Sequence, residues 1–320
     1  MKTEKKILVA LDGSEQSCAA VRYLSKILPP GGTEVVLLNI MVKFPESFWD
    51  VEQPHAYQYK IINLEEWESQ QRRALEDVMA QCYQVLVDNG IPEDQVTLRV
   101  QNRQAGIAQD IINESQMGYD AVIVGRKGLS ELKDLVLGSV AQRLVQKLHH
   151  VPVWVVGGAP ATNRLLICLD SSEGAMGAVD YVAEMVEPSR AADIILFHAF
   201  RGHGILSGLL GTTYLNSRDA KELELVEREL KDEWKRIEPV LHEAKGRLVE
   251  AGFDAERITF SIAKGVKSRS GAIIEEAKRE ECGTIVVGRR GLSRVQEFFM
   301  GRVSSKVIQM AKEQAVWVIN

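Results

Sequence analysis

Short Val/Ile/Leu runs recur along the chain with little alternation of apolar and polar positions. Ile7–Leu11, Val35–Ile40, Ala121–Gly125 and Val153–Val155 are four of them. This is the pattern of strands covered by helices on both faces. Amphipathic stretches lie between them, and the spacing predicts a long helix from about Tyr59 to Asn89. Pro29-Pro-Gly-Gly32 and Asn89-Gly-Ile-Pro92 act as helix stops. The same series is then written a second time. Leu165–Asp170 matches Ile7–Asp12, and Ile194–Ala199 matches Val35–Ile40. Thr284–Gly288 matches Ala121–Gly125, and Val316-Trp-Val318 matches Val153-Trp-Val155. A second long helix is expected from Asn216 to about Ala251, kinked or broken at Pro239.

Each half thus reads strand, helix, strand, long helix, strand, helix, strand, helix, strand. That alternation predicts an α/β fold of two tandem, doubly wound domains, each with a parallel five-stranded sheet. Domain boundaries of 1–157 and 163–320 follow, with the seam in the Gly/Pro linker Gly157–Ala161. The strand-end aspartates Asp12 and Asp170 are 158 residues apart, whereas the later elements are 163 apart. About five residues are therefore added in the second copy between its first and fourth strands.

The repeat carries a spaced glycine motif. Gly125-Arg-Lys-Gly128 is followed after nine residues by Gly138-Ser139. Gly288-Arg-Arg-Gly291 is followed after nine residues by Gly301-Arg302, at the constant offset of 163. Glycines let backbone approach an anion closely, and a helix start presents N–H groups to it. Ligands of doubly wound folds sit at the carboxyl ends of the strands, at the switch in strand order. Asp12 and Asp170, Gly125 and Gly288, and the helix starts at Gly138 and Gly301 should therefore converge in one crevice per copy. The aspartate suits ribose or adenine polar groups, and the glycine loop suits phosphates. The pairs Arg126-Lys127 and Arg289-Arg290 are either a solvated rim or phosphate contacts.

The 320 residues have 45% hydrophobic content and a net charge of −5 with mixed signs. These values speak against a nucleic-acid coat. No apolar run is long enough for a membrane span. The basic N-terminus leads into a strand rather than a signal-peptide core. The scattered cysteines Cys18, Cys82, Cys168 and Cys282 form no CxxC pair, as expected of reduced thiols in a cytoplasmic protein. His149-His150 at a helix end suits the helix dipole better than a metal, and no metal site is expected. His198 reads as a wall of the second crevice, and Trp154 and Trp317 as packing residues. The apolar, glycine-rich stretch Gly202–Gly211 is a lid, a partner-binding loop or a packed connector.

These motifs resemble the nucleotide-binding branch of the universal stress protein family, over essentially the whole chain as a tandem pair. The resemblance implies a Rossmann-like, adenine nucleotide alpha hydrolase-like fold and an ATP site, with or without Mg²⁺. It implies that Asp12 contacts the adenosine and that Ile40 lies against the base. Gly125, Lys127 and Gly128 would wrap ribose and phosphates, and Gly138, Ser139 and Val140 would donate to phosphates. In the second copy the corresponding set is Asp170, Gly288, Arg290, Gly291, Gly301 and Arg302, with Ser304 just beyond. Arg302 departs from the family's small hydroxyl residue. It either fills the pocket or adds a charge-assisted phosphate contact, so the first copy is the better ATP candidate. The family's closing strands commonly pair edge to edge, implying a pseudo-dimer within the chain and a homodimer as a further option.

The resulting expectation is an ATP-binding stress-response or signalling module acting on an unidentified protein partner. The alternative is a nucleotide-independent interaction scaffold. The sequence shows no HxGH, no Ser-Gly-Gly-x-Asp-Ser loop and no Walker lysine. An enzyme is therefore not expected, beyond slow ATP hydrolysis.

Overall fold

The computed structural model describes residues 5–29, 31–42, 58–128, 137–158, 160, 162–172, 175–189, 193–200, 217–290 and 300–320. Gly291 and the Gly202–Gly211 stretch lie outside them. Two compact units are present, one of Met1–Ser25 with Pro29–Leu148, the other of Lys26–Leu28 with His149–Asn320.

The first unit holds β1 (Lys5–Ala10), α1 (Glu15–Ile27), β2 (Thr33–Met41), α2 (Gln58–Asp88), β3 (Val96–Asn102), α3 (Ile107–Ser115), β4 (Ala121–Gly125) and α4 (Ser139–Lys147). Its strands run in the order β3-β2-β1-β4, and each neighbouring pair is parallel. Every position of β4 and all but one of β1 is buried. This explains the unbroken apolar runs, because a central parallel strand has no solvent face.

The second unit begins with β5 (Val153–Val156), the closing strand of the first sequence repeat. It continues through β6 (Leu165–Cys168), α5 (Ala175–Met185), β7 (Ile194–Ala199), α6 (Ser217–Glu250), β8 (Ile258–Ala263), α7 (Arg269–Arg279), β9 (Thr284–Gly288), α8 (Arg302–Met310) and β10 (Ala315–Ile319). Strands β8-β7-β6-β9-β10 are parallel, and β8-β7-β6-β9 repeats the order β3-β2-β1-β4 of the first unit. β5 adds to β10 in antiparallel register, with Trp154 opposite Trp317.

Those two indoles stack at 3.8 Å between centroids and 7° between planes. Tyr181 of α5 meets both edge-on, and its hydroxyl accepts from Trp154 Nε1 at 3.1 Å. Both tryptophans are fully buried, so the closing strands carry core rather than a ligand platform. Backbone also closes tightly beside them. A Cβ on Gly157 would lie 2.5 Å from the Lys312 carbonyl oxygen and 2.6 Å from that of Gln314. Only glycine fits there without moving the main chain.

The second long helix does not break at its proline. Pro239 lies inside α6, which continues unbroken to Glu250. Proline removes one helix hydrogen bond and costs about 3 kcal/mol. Pro239 is on the exposed side, while Ile237, Leu241, Ala244 and Leu248 are buried along the other. Burial at about 1.5–3 kcal/mol per large apolar side chain outweighs the missing bond.

The stacked pair gives a direct test. Trp317→Ala should lower unfolding stability by about 3–5 kcal/mol, read as a shifted denaturation midpoint. A shift worth under about 1 kcal/mol would mean that the stack contributes little.

Candidate functional site

In each repeat the first strand lies between the second and the fourth, so its carboxyl end opens onto the switch in strand order. Asp12 follows β1 at this point. Its Oδ1 accepts from the Ser14 backbone N–H at 3.0 Å and from the Ser14 hydroxyl at 2.6 Å. Ser14 Oγ in turn accepts from the Ser17 N–H at 3.2 Å. The helix start is thus served by Ser14, and Asp12 is turned toward the glycine loop. A Cβ added to Gly128 would collide with Asp12 Oδ2. Asp170 and Ser172 repeat the arrangement, with the Ser172 N–H donating to Asp170 Oδ1 at 3.1 Å.

The glycine loop is held by its own backbone. The Gly138 N–H donates to the Arg126 carbonyl at 2.8 Å, and the Gly301 N–H donates to the Arg289 carbonyl at the same distance. These bonds fix the starts of α4 and α8 over the loop. In the first repeat the Lys127 N–H donates to Gln16 Oε1 at 2.7 Å. In the second, Ser304 donates to the Gly288 carbonyl at 2.6 Å, so its hydroxyl is spent on the loop itself. The basic pairs divide. Arg126 and Arg289 are buried, whereas Lys127 is half-buried and Arg290 exposed. Burial and the neighbouring Arg290 charge push the Arg289 pKa down to about 10.

The strand-end positions also match. Ile40 is buried at the end of β2, next to Asn39. Asn39 Nδ2 donates to the Leu11 carbonyl at 2.7 Å, and His198 Nδ1 donates to the Leu169 carbonyl at the same distance. Both side chains lock the carbonyl that precedes the aspartate. Asn39 Oδ1 and His198 Nε2 are buried with no hydrogen-bond partner among the described residues.

In the second repeat these parts surround a cleft of about 600 Å³. Asp170, His198, Ala199, Gly288, Arg290, Gly301, Arg302 and Ser304 line it, and so do Lys267, Arg269 and Lys306. Arg302 is exposed in the wall and leaves the cleft open. Among the described lining residues five cationic side chains stand against the Asp170 carboxylate, and Glu233 pairs with Arg269 from behind the wall. In the first repeat Ser139 is exposed and Val140 half-buried on the first turn of α4.

Sequence reasoning overlooked Asn39, Gln16, Lys267, Arg269 and Lys306. The signal for the cations lies in aligning α3 with α7. Ile111-Ile112 and Glu114 correspond to Ile273-Ile274 and Glu276, all buried. That register pairs Ala105 with Lys267, Ile107 with Arg269 and Asp110 with Ala272. Asp110 is only 6% exposed and accepts from the backbone N–H groups of Gln104 and Ala105 at 2.9 Å and of Gly106 at 3.4 Å. Burial pushes its pKa up, but the three donors and the Arg103 charge outweigh this and hold it below the ordinary carboxylate value.

Two matches to the universal stress protein family model cover residues 4–157 and 161–319. A universal stress protein of Mycolicibacterium smegmatis is 26% identical over 318 residues, covering 97% of this chain and 95% of that one. The universal stress protein YxiE of Bacillus subtilis is 30% identical over 149 residues, covering 47% of this chain and 93% of its own. Among solved structures, a universal stress protein from Archaeoglobus fulgidus superposes with a TM-score of 0.57 at 18% identity. That match covers 99% of this chain and 98% of the other.

The Asp110 carboxylate predicts a pH effect. Its lowered pKa stabilises the fold above the unfolded-state value and loses that effect as pH falls through the folded one. Asp110→Asn should therefore cost about 1.5–3 kcal/mol at neutral pH, and the gap to wild type should close below about pH 4. Denaturant unfolding at pH 7 and pH 3 measures both. A gap unchanged by pH would exclude the charge as its source.

Proposed function

The chain belongs to the universal stress protein family, and on that premise we propose that each repeat binds an adenine nucleotide in its strand-end crevice. The observation that carries this reading is the twofold convergence of aspartate, glycine loop and helix start at the switch point. The aspartate suits the ribose hydroxyls, and Ile40 or Ala199 lies where the base would rest. Backbone N–H groups at the starts of α4 and α8 suit the 5′ phosphates, where the helix dipole favours negative charge. In the second repeat Arg290, Arg302 and Lys306 add three cations to the phosphate end. The open cleft beside Arg302 supports the charge-assisted role for that side chain over a blocking one.

Nucleotide binding of this kind suits a stress-response or signalling module whose loops respond to ligand. ATP is the adenine nucleotide proposed, with or without Mg²⁺. The first repeat keeps the small hydroxyl residue Ser139, and the second substitutes positive charge. The two sites therefore differ in affinity and in salt dependence.

Mass spectrometry of nucleotide released from heat-denatured protein identifies the natural ligand, and the absence of any adenine nucleotide there and in titration would reject the proposal. Calorimetry with ATP should saturate at two per chain. Gly138→Val should remove the first site, because its new side chain stands against the Arg126 backbone, 3.2 Å from a Cβ at this position. Arg302→Ser should weaken the second site about ten- to a hundredfold, the worth of a charge-assisted contact. Saturation at one nucleotide in wild type, rising to two in Arg302→Ser, would instead make Arg302 a plug.

A further inference from the structure

Two of the four cysteines meet in the first repeat. Cys18 lies on the first turn of α1 and Cys82 near the end of α2. They are 64 positions apart in the chain, yet the Cys82 S–H donates to Cys18 Sγ at 3.5 Å. Both are free thiols. Met79, Cys82 and Leu86 share the buried face of α2, at the three- and four-residue spacing of one side of a helix. Cys82 is thus held toward α1 by the packing of its own helix.

The second repeat has the same two helices without the pair. Ala20-Val21 and Ala178-Val179, all buried, align α1 with α5. Gly90 and Gly252, both at positive φ just past the long helices, align α2 with α6. In that register Met79, Cys82 and Leu86 correspond to the buried Leu241, Ala244 and Leu248, and Cys18 corresponds to Met176. α5 and α6 pack on each other with a thioether and a methyl group at these positions. The helix contact therefore does not itself require two thiols.

The two sulfurs have different surroundings. Cys82 is buried, and burial with Cys18 beside it pushes its pKa up to about 12, so it holds its proton at neutral pH. Cys18 is half-buried and is the sulfur that a small oxidant reaches first.

We propose that Cys18 and Cys82 are a site of reversible oxidation, which a hydroperoxide converts to an intrachain disulfide joining α1 to α2. The inference goes beyond nucleotide binding and does not depend on it. The Cys18 thiolate attacks one peroxide oxygen. An S–O bond forms, the O–O bond breaks, and the departing oxygen takes up a proton to leave as an alcohol or water. Cys82 Sγ then attacks the sulfenic acid on Cys18. The S–S bond forms, the S–O bond breaks, and the Cys82 proton leaves with the hydroxyl as water. The two thiols together lose the two electrons that the peroxide gains. A disulfide holds its sulfurs about 2 Å apart, so a local adjustment of the two side chains and their helices closes the pair. A small thiol reverses the step by exchange. Gln16, two residues before Cys18, accepts from the Lys127 N–H, so the link ties α2 to the helix turn that holds the first glycine loop.

The full chain, reduced and desalted, is treated with hydrogen peroxide, capped with N-ethylmaleimide in denaturant and digested without reductant. Mass spectrometry should find the Cys18 and Cys82 peptides joined, two hydrogens lighter than the free pair, and separate again after dithiothreitol. Free thiols should fall from four to two per chain. Cys82→Ala, which installs the residue of the second repeat, should leave Cys18 as a sulfenic acid that dimedone traps. Cys18→Ala should leave Cys82 a thiol that the maleimide caps. The link should form faster in the folded protein than in urea, because the fold brings the sulfurs together. Absence of the joined peptide at peroxide doses that oxidise Cys18 would overturn the inference. A link that forms only in urea, or only between two chains, would overturn it as well.

Discussion

The crevice depends on one constraint, the parallel hydrogen bonding of the first strand of each repeat to two neighbours. β1 is held between β2 and β4, and β6 between β7 and β9. Chain leaving a central strand and chain leaving its neighbours must part in opposite directions, and the gap between them cannot be filled by regular structure. The aspartate turn, the polar end of the second strand and the glycine loop all border that gap. Their internal bonds serve to hold it open. Ser14 and Ser172 orient the carboxylates, and Asn39 and His198 pin the carbonyls before them.

On this common backbone the two repeats have taken different charges. The hydrogen bonds from Gly138 and Gly301 to the preceding loop are the same length, so the loop scaffold is duplicated. The side chains around it are not. Ser139 becomes Arg302, Lys127 becomes Arg290, and the α3 corner exchanges an internal carboxylate for two cations. Low-dielectric walls amplify each such change. Duplication thus repeats the crevice, and a handful of substitutions changes the charge around it.

Much of the fold was legible in the sequence because its strands are buried on both faces and read as plain apolar runs. The glycine spacing and strand-end aspartates identified the crevices for a similar reason. The glycines stand where a Cβ would press on the Gln16 backbone, Asp12 or the Arg126 carbonyl, so the residue type itself marks the close approach. Pro239 does not break its helix, because the local rule about the helix backbone is outweighed by a buried face. Asn39 and Lys267 were missed because nothing local marks an asparagine within a strand or a lysine in a loop as part of a site.

The sequence by itself therefore determined the repeat, the strand and helix order, and the loops able to approach an anion. These follow from periodicity and from the spacing of residue types along the chain, both local properties. Only the tertiary structure decided that β5 closes against β10 through stacked tryptophans, that Arg302 borders an open cleft, and that the N–H groups before α3 close on Asp110 in the first repeat. The first two are a contact and a gap between segments far apart in the chain, and they exist only once the parallel sheet has brought their ends together.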